Sequence, residues 1–128
     1  MTPSATARRN WIYWTATGLL AAECFVGGVM GALRLQPFAG VVTHLGYPLY
    51  FMTILGVCYV SAGVVLLAPR LAVVKEWAYA GLMSIYAGAT ASHLWVGDRA
   101  TTLVGPLILV GLTVASWALR PQRRRIPR

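Results

Sequence analysis

The sequence predicts an all-α, polytopic membrane protein: an antiparallel bundle of four transmembrane helices with both termini in the cytoplasm. Three features of the chain carry that prediction. The apolar residues come in four long blocks almost free of charge, the basic residues cluster at alternate block ends, and the aromatic residues gather where the blocks begin and stop. Of the 128 residues, 58% are hydrophobic and only 11% charged, whereas a soluble domain carries about a quarter charged residues. A block of about 18 apolar residues is enough to cross the roughly 30 Å hydrocarbon layer as a helix. The four blocks fill nearly the whole chain, which reads as one membrane domain over residues 1–128 with no soluble part.

The first helix is expected over Trp11–Leu33. Its apolar run is too long for the core of a cleaved signal, which spans about 7–15 residues. The stretch "LAAEC" is similar to a lipoprotein cleavage site, but Glu23 stands where a small residue is required, so a retained helix is expected. A fourteen-residue connection, "RLQPFAGVVTHLGY", follows on the outer face, with Pro37 and Gly40 breaking any continuation of the helix. The second helix is expected over Pro48–Ala68 and the third over Trp77–Val96, joined on the inner face through "PRLAVVKE". "GDRAT" turns back into the fourth, Thr102–Leu119, and residues 120–128 form a basic cytoplasmic tail. Short connections make consecutive helices antiparallel neighbours.

Charge sets the orientation. Arg8, Arg9, Arg70, Lys75, Arg120, Arg123, Arg124, Arg125 and Arg128 fall on one side, and only Arg34 and Arg99 on the other. Cytoplasmic loops carry the excess of Lys and Arg, so the crowded side is the inner one. The net charge of +8 is therefore a membrane signature, with the tail against anionic headgroups, and gives no case for nucleic acid. Trp11, Trp14, Trp77 and Trp117 lie at the expected inner interface, and Tyr47, Tyr50, Phe51 and Trp95 at the outer one. Amphipathic rings prefer those levels.

Helices in lipid gain little by burying apolar groups from one another, so small residues and internal hydrogen bonds must hold them. Gly27, Gly28 and Gly31 in the first helix, Gly56 and Gly63 in the second, the line Ala80, Ser84, Gly88, Ser92 in the third, and Gly105 and Gly111 in the fourth are expected packing positions.

At about 1.5 Å per residue, Glu23, Cys24, Cys58, Tyr59 and Tyr86 fall at one depth near the middle of three helices. A charge at the bilayer centre costs roughly 2.5–3.5 kcal/mol, so Glu23 is expected to face inward, with Tyr59 and Tyr86 as hydrogen-bond partners. An ionisable residue inside a membrane span is by default a functional candidate, set against a purely structural Glu–Tyr bond between helices. Tyr86, Thr90, His93 and Gly97 share a face of the third helix, and His44 and Asp98 stand near its outer end. That stripe reads as a proton route or substrate vestibule, or as a His93–Asp98 helix cap. The spacing of the two histidines and the aspartate does not make a metal site. Cys24 and Cys58 match in depth, as small apolar fillers or as a redox pair.

The segments "WIYWTATGLL", "HLGYPLYFMTILGV", "LLAPR", "KEWAYAG" and "SHLWVGD" occur in an order and spacing that resembles the DoxX-like family of small four-helix bacterial membrane proteins, over roughly residues 10 to 118. The resemblance implies a compact four-helix bundle in the bacterial cytoplasmic membrane, and a link to oxidoreductase systems and quinone-coupled chemistry. His44, Gly46, Pro48, Lys75, Glu76, Trp77, His93, Gly97 and Asp98 match the family pattern. Tyr59 stands where relatives often carry Lys, and Glu23 where they usually carry an apolar residue, so the central layer departs from the pattern.

The expected function is acid–base chemistry on a lipophilic small molecule: isomerisation, cyclisation or epoxide opening. The catalytic candidates are Glu23, Tyr59, Tyr86 and His93, and the substrate-binding candidates His44, Cys58, Thr90 and Asp98; neither a metal nor a cofactor is required. The alternatives are a quinone- or thiol-linked redox subunit and a non-catalytic binding or assembly protein. Lipid and a second copy of the chain complete the expected partners.

Overall fold

The computed structural model describes residues 4–127 and, among them, contains helices and no strand. Arg128, counted above in the basic tail, lies outside the described residues. The helices are α1 (Ala5–Ala32), α2 (Phe38–His44), α3 (Leu49–Leu67), α4 (Ala72–Trp95) and α5 (Ala100–Ala118), followed by one 3-10 turn at Gln122–Arg124. Four correspond to the expected helices, with α1 and α4 beginning about one and a half turns earlier. The fifth, α2, is new: the long connection is not open loop but folds back as two turns of helix. Its limits have local causes. Pro37, with no N–H to lose, precedes the first turn. Gly46, at φ +89°, ends it in the left-handed conformation that closes a helix.

α1, α3 and α5 are long and apolar enough to cross a membrane. Outward-facing side chains agree: Trp77 is 78% exposed, Trp95 91% and Trp11 76%, with Val57, Ile108 and Leu107 among the exposed aliphatics. An apolar surface this extensive is a membrane-facing one, and the chain is a helical membrane protein. α4 has the length, at 24 residues, but Lys75, Glu76 and a run of Ser, Thr and Gly lower its hydropathy.

The long helices pack in a ring, α1 on α3 and α5, and α4 on α3 and α5. The α1–α3 seam is the tightest. A Cβ on Gly56 would lie 2.3 Å from the Ala32 nitrogen and 2.5 Å from the Gly28 oxygen, and one on Gly31 2.9 Å from the Met52 oxygen. Backbone meets backbone there, as small residues in membrane helices permit. Not every expected packing position is used. Gly88, Gly105 and Gly111 face open space, and Gly27 meets only the Glu23 side chain. Small residues allow close approach without compelling it, and the bend-prone Pro106 stands in α5 next to Gly105.

The end of the bundle that carries the basic tail is closed by cations. A helix leaves its last four carbonyls without partners, and those of α3 are all satisfied by side chains. Lys75 Nζ donates to Val65 O, at 2.6 Å, and to Ala68 O; Arg124 donates to Leu66 O and Leu67 O. Arg125 donates to Ala118 O and Arg120 O at the end of α5. Arg120, 3% exposed, binds Glu76 and lies 4.9 Å over the Tyr79 ring. The basic tail is therefore folded onto the helix ends, beyond the headgroup role its charge suggests. A polar network sits above it: Ser116 Oγ is 2.6 Å from Thr17 Oγ1 and 2.8 Å from Tyr79 Oη, linking α1, α4 and α5.

The glycines separate by prediction. Gly56→Ala should destabilise the protein by at least the roughly 1–3 kcal/mol of an overpacked core, while Gly111→Ala, in open space, should be neutral or stabilise by up to about 1 kcal/mol through helix propensity. Unfolding in mild detergent, followed by circular dichroism, measures both.

Candidate functional site

Above the Thr17–Ser116–Tyr79 network the interior is sealed by Leu20, Leu66 and Leu82, all at most 1% exposed. Beyond that apolar plug the ring opens into a cavity of about 710 Å³, within the size of small-molecule sites. All five helices contribute to its lining. Val26 and Met30 come from α1, Leu55 from α3, Ile85 from α4 and Leu109 from α5, while Phe38 and Val42 of α2 cover it. The walls are overwhelmingly apolar, and the few polar groups stand at two levels.

The deeper level holds Glu23. Its carboxylate Oε2 accepts a hydrogen bond of 2.5 Å from the Tyr86 hydroxyl, across the ring from α1 to α4. Tyr59 of α3 stacks on Tyr86, with ring centroids 5.9 Å apart. Cys24, fully buried, brings its sulfur within 4.0 Å of the same Tyr86 hydroxyl. Glu23, Tyr59 and Tyr86 all line the cavity. Gly27 makes the carboxyl's position possible: a Cβ there would come within 2.9 Å of Glu23 Oε1.

The other level, at the end of the bundle away from the basic tail, is built from helix ends. α4 stops in a two-bond left-handed cap: Gly97, at φ +76°, donates to Leu94 O and Asp98 N–H to His93 O. The reversal brings the Asp98 side chain back over His93, whose Nδ1 is 2.6 Å from Asp98 Oδ2. α2 ends in the same kind of cap at Gly46, and its last residue, His44, places Nε2 2.8 Å from Asp98 Oδ1. One carboxylate thus holds two imidazoles. His93 is buried and lines the cavity, whereas the His44 side chain is 55% exposed. The hydrogen bonds from His93 and His44 hold the Asp98 carboxyl below its ordinary value of 3.8. The hydroxyls of Tyr47 and Ser92, 2.9 Å apart, complete this level.

All four catalytic candidates, Glu23, Tyr59, Tyr86 and His93, therefore border one chamber. The binding candidates divide. Asp98 and His44 support His93 from outside the lining. Thr90 donates to the Tyr86 carbonyl, turned toward its own helix. Cys58 is exposed and does not line the cavity; one residue step turns α3 by about 100°, which carries Cys58 to the surface while its neighbour Tyr59 stays buried. Cys58 is corrected from binding candidate to surface residue, and the two cysteines do not meet. Tyr59 makes no hydrogen bond to Glu23 among the described residues; it stacks on Tyr86, which does. Reasoning from the sequence missed α2 and Tyr47, though Pro37 and Gly46 flanking "FAGVVTH" were a legible start and stop.

The profile of the DoxX-like family matches residues 15–116. No match is found among curated proteins or among solved structures.

A carboxylate whose folded-state pKa is depressed contributes stability that is complete above its unfolded-state pKa and is lost as pH falls through the folded-state value. The stability that Asp98 lends over Asp98→Asn should accordingly be lost as the pH falls below the ordinary carboxyl range. Denaturation curves collected from pH 7 to about pH 3 test this.

Proposed function

The chain belongs to the DoxX-like family, and on that premise we propose an integral membrane enzyme that acts by general acid–base chemistry on a lipophilic small molecule held in the cavity. The observation that carries the reading is the Glu23 carboxyl, hydrogen-bonded to Tyr86 at 2.5 Å, in the wall of a largely apolar chamber of about 710 Å³. Four membrane spans, α1, α3, α4 and α5, in a bundle with both termini cytoplasmic, would set that chamber in the outer half of a bacterial cytoplasmic membrane. The charge distribution supports this orientation. Residues 1–128 then form a single membrane domain, with lipid as the surrounding partner and a homodimer allowed.

In this reading Glu23 gives and takes the proton, and Tyr86 orients it. Tyr59, stacked behind Tyr86, shapes the wall and brings a second phenol to the substrate. A positioned acid–base group contributes about 10²–10⁴-fold to a rate. Isomerisation, cyclisation and epoxide opening need little beyond positioned proton donors and acceptors, and a largely apolar chamber holds a lipophilic substrate against them. No added cofactor is invoked.

A non-catalytic role is the second reading, and one observation favours it. The Thr17–Ser116–Tyr79 network ties three helices together away from the large cavity, so this protein does use buried polar groups as fasteners. Glu23 differs in facing empty space. A thiol-linked redox function has less support, since Cys24 is buried and Cys58 is exposed at the surface of α3. A quinone in the chamber is the remaining form of the redox alternative.

Wild-type protein and Glu23→Gln, each reconstituted and incubated with a bacterial lipid extract, separate the readings by mass spectrometry. The proposal expects a species consumed by the wild type, replaced by an isomer or a hydrated product, and turned over at least about 100-fold more slowly by a folded Glu23→Gln. Gly27→Ala, which displaces the carboxyl without removing it, should fall between them. Indistinguishable extracts, or equal turnover by Glu23→Gln, would reject the acid–base role.

A further inference from the structure

The upper level of the chamber carries chemistry that the Glu23 reading does not use. His93 is 5% exposed, yet it lines the cavity. Its Nδ1 is engaged by Asp98 at 2.6 Å, and its Nε2 has no hydrogen bond among the described residues. Asp98 has an oxygen on each of two imidazoles. An ionised carboxylate only accepts hydrogen bonds, so both ring nitrogens that touch it must donate. For a neutral His93, a proton on Nδ1 leaves the lone pair on Nε2, the nitrogen away from Asp98. Fixing a tautomer through the hydrogen bond at the other nitrogen is how a carboxylate prepares an imidazole to accept a proton.

We infer that His93 forms a second polar subsite, in which Nε2 accepts a hydrogen bond from a hydroxyl group of the bound molecule, with Asp98 as the positioning residue. The inference deepens the proposed function, and rests on its reading of the cavity as a chamber for a lipophilic molecule. Seven residues of α4 separate Tyr86 from His93, so the two levels stand about 10 Å apart at 1.5 Å per residue. Apolar side chains, among them Ile85 and Leu55, line the space between them. The ligand class follows from that layout: a lipophilic alcohol, phenol or enol whose hydroxyl lies at the upper level and whose reacting carbon lies against Glu23. His44 serves the same end indirectly. As the last residue of α2 it takes the second oxygen of Asp98, so the carboxylate is held from the lid as well as from its own turn.

The test uses the full chain in lipid nanodiscs with ¹⁵N-labelled histidine, and two probes: para-hexylphenol and its methyl ether. They share an apolar body and differ in one hydrogen-bond donor. Side-chain ¹⁵N spectra of the wild type should show His93 protonated at Nδ1 and bare at Nε2, the less common tautomer of free histidine. The phenol should bind roughly tenfold more tightly than the ether, the worth of about one hydrogen bond, and should shift the Nε2 resonance. Asp98→Ala should move His93 toward the Nε2-protonated form and reduce the preference, and His93→Phe should abolish it. Glu23→Gln should leave tautomer and preference intact, so a failed Glu23 mechanism is distinguishable from a failed His93 subsite. An imidazolium or Nε2-protonated His93 in the wild type, or equal affinity for phenol and ether, would overturn the subsite. Binding of neither probe would overturn it together with the chamber reading.

Discussion

The interior is arranged around one carboxyl group that has nowhere cheap to go. Glu23 sits about two thirds of the way along the apolar helix α1, and a polar group removed from water must find a partner inside the protein. It finds one across the ring: the Tyr86 phenol of α4, steadied by stacking on Tyr59 of α3. The position of that bond depends on the seam between α1 and α3. Because Gly28, Gly31 and Gly56 let those backbones touch, α1 is pinned in rotation, and Glu23 is turned toward the space that α3, α4 and α5 leave open. Gly27, one turn further along α1, clears room for the carboxylate. Seam, clearance and acceptor all lie between Glu23 and Gly31, so the stretch that looks least suited to an apolar helix organises the chamber.

The two ends of the molecule use a common device for different purposes. At the end that carries the basic tail Lys75, Arg124 and Arg125 occupy the orphan carbonyls of α3 and α5, and Arg120 ties α5 to Glu76 of α4. This end is closed and tightly bonded. At the opposite end left-handed caps at Gly46 and Gly97 turn the chain so that His44, Asp98 and His93 converge above the cavity. Leu20, Leu66 and Leu82 separate the lower polar network from the upper one. The polar groups therefore form two separate sets, and the upper set borders the cavity of about 710 Å³.

Much of this was legible in the sequence because lipid imposes simple rules. Block length located four long helices, and the cost of a lone acid implied that Glu23 would turn inward. Depth counting brought Glu23, Cys24, Tyr59 and Tyr86 together. It failed for Cys58 because depth is a coordinate along a helix and says nothing of rotation about it; Tyr59 and Cys58 are adjacent in sequence and point to different surroundings. The small residues misled for a related reason. Gly105 and Gly111 have the composition of a packing face, but whether a neighbour approaches is decided by the other helices. α2 escaped notice because seven residues give too short a pattern for periodicity, although its flanking Pro37 and Gly46 marked both ends. The tail's basic residues read as headgroup contacts, and their use as carbonyl donors became visible only once the ends of α3 and α5 were in place.

The contact between Glu23 and Tyr86 can be measured directly. Solid-state NMR on protein in lipid bilayers, with ¹³C at the glutamate carboxyl and at the tyrosine hydroxyl-bearing ring carbon, reports the dipolar coupling between them. Glu76, the other glutamate, is engaged by Trp117 and Arg120, so a close carboxyl–phenol pair can be assigned by its loss in Glu23→Gln. A strong coupling that disappears in both Glu23→Gln and Tyr86→Phe is the expected result. A Glu23 carboxyl with no phenol carbon within coupling range, and in contact with acyl-chain protons instead, would contradict the arrangement from which the chamber's chemistry is derived.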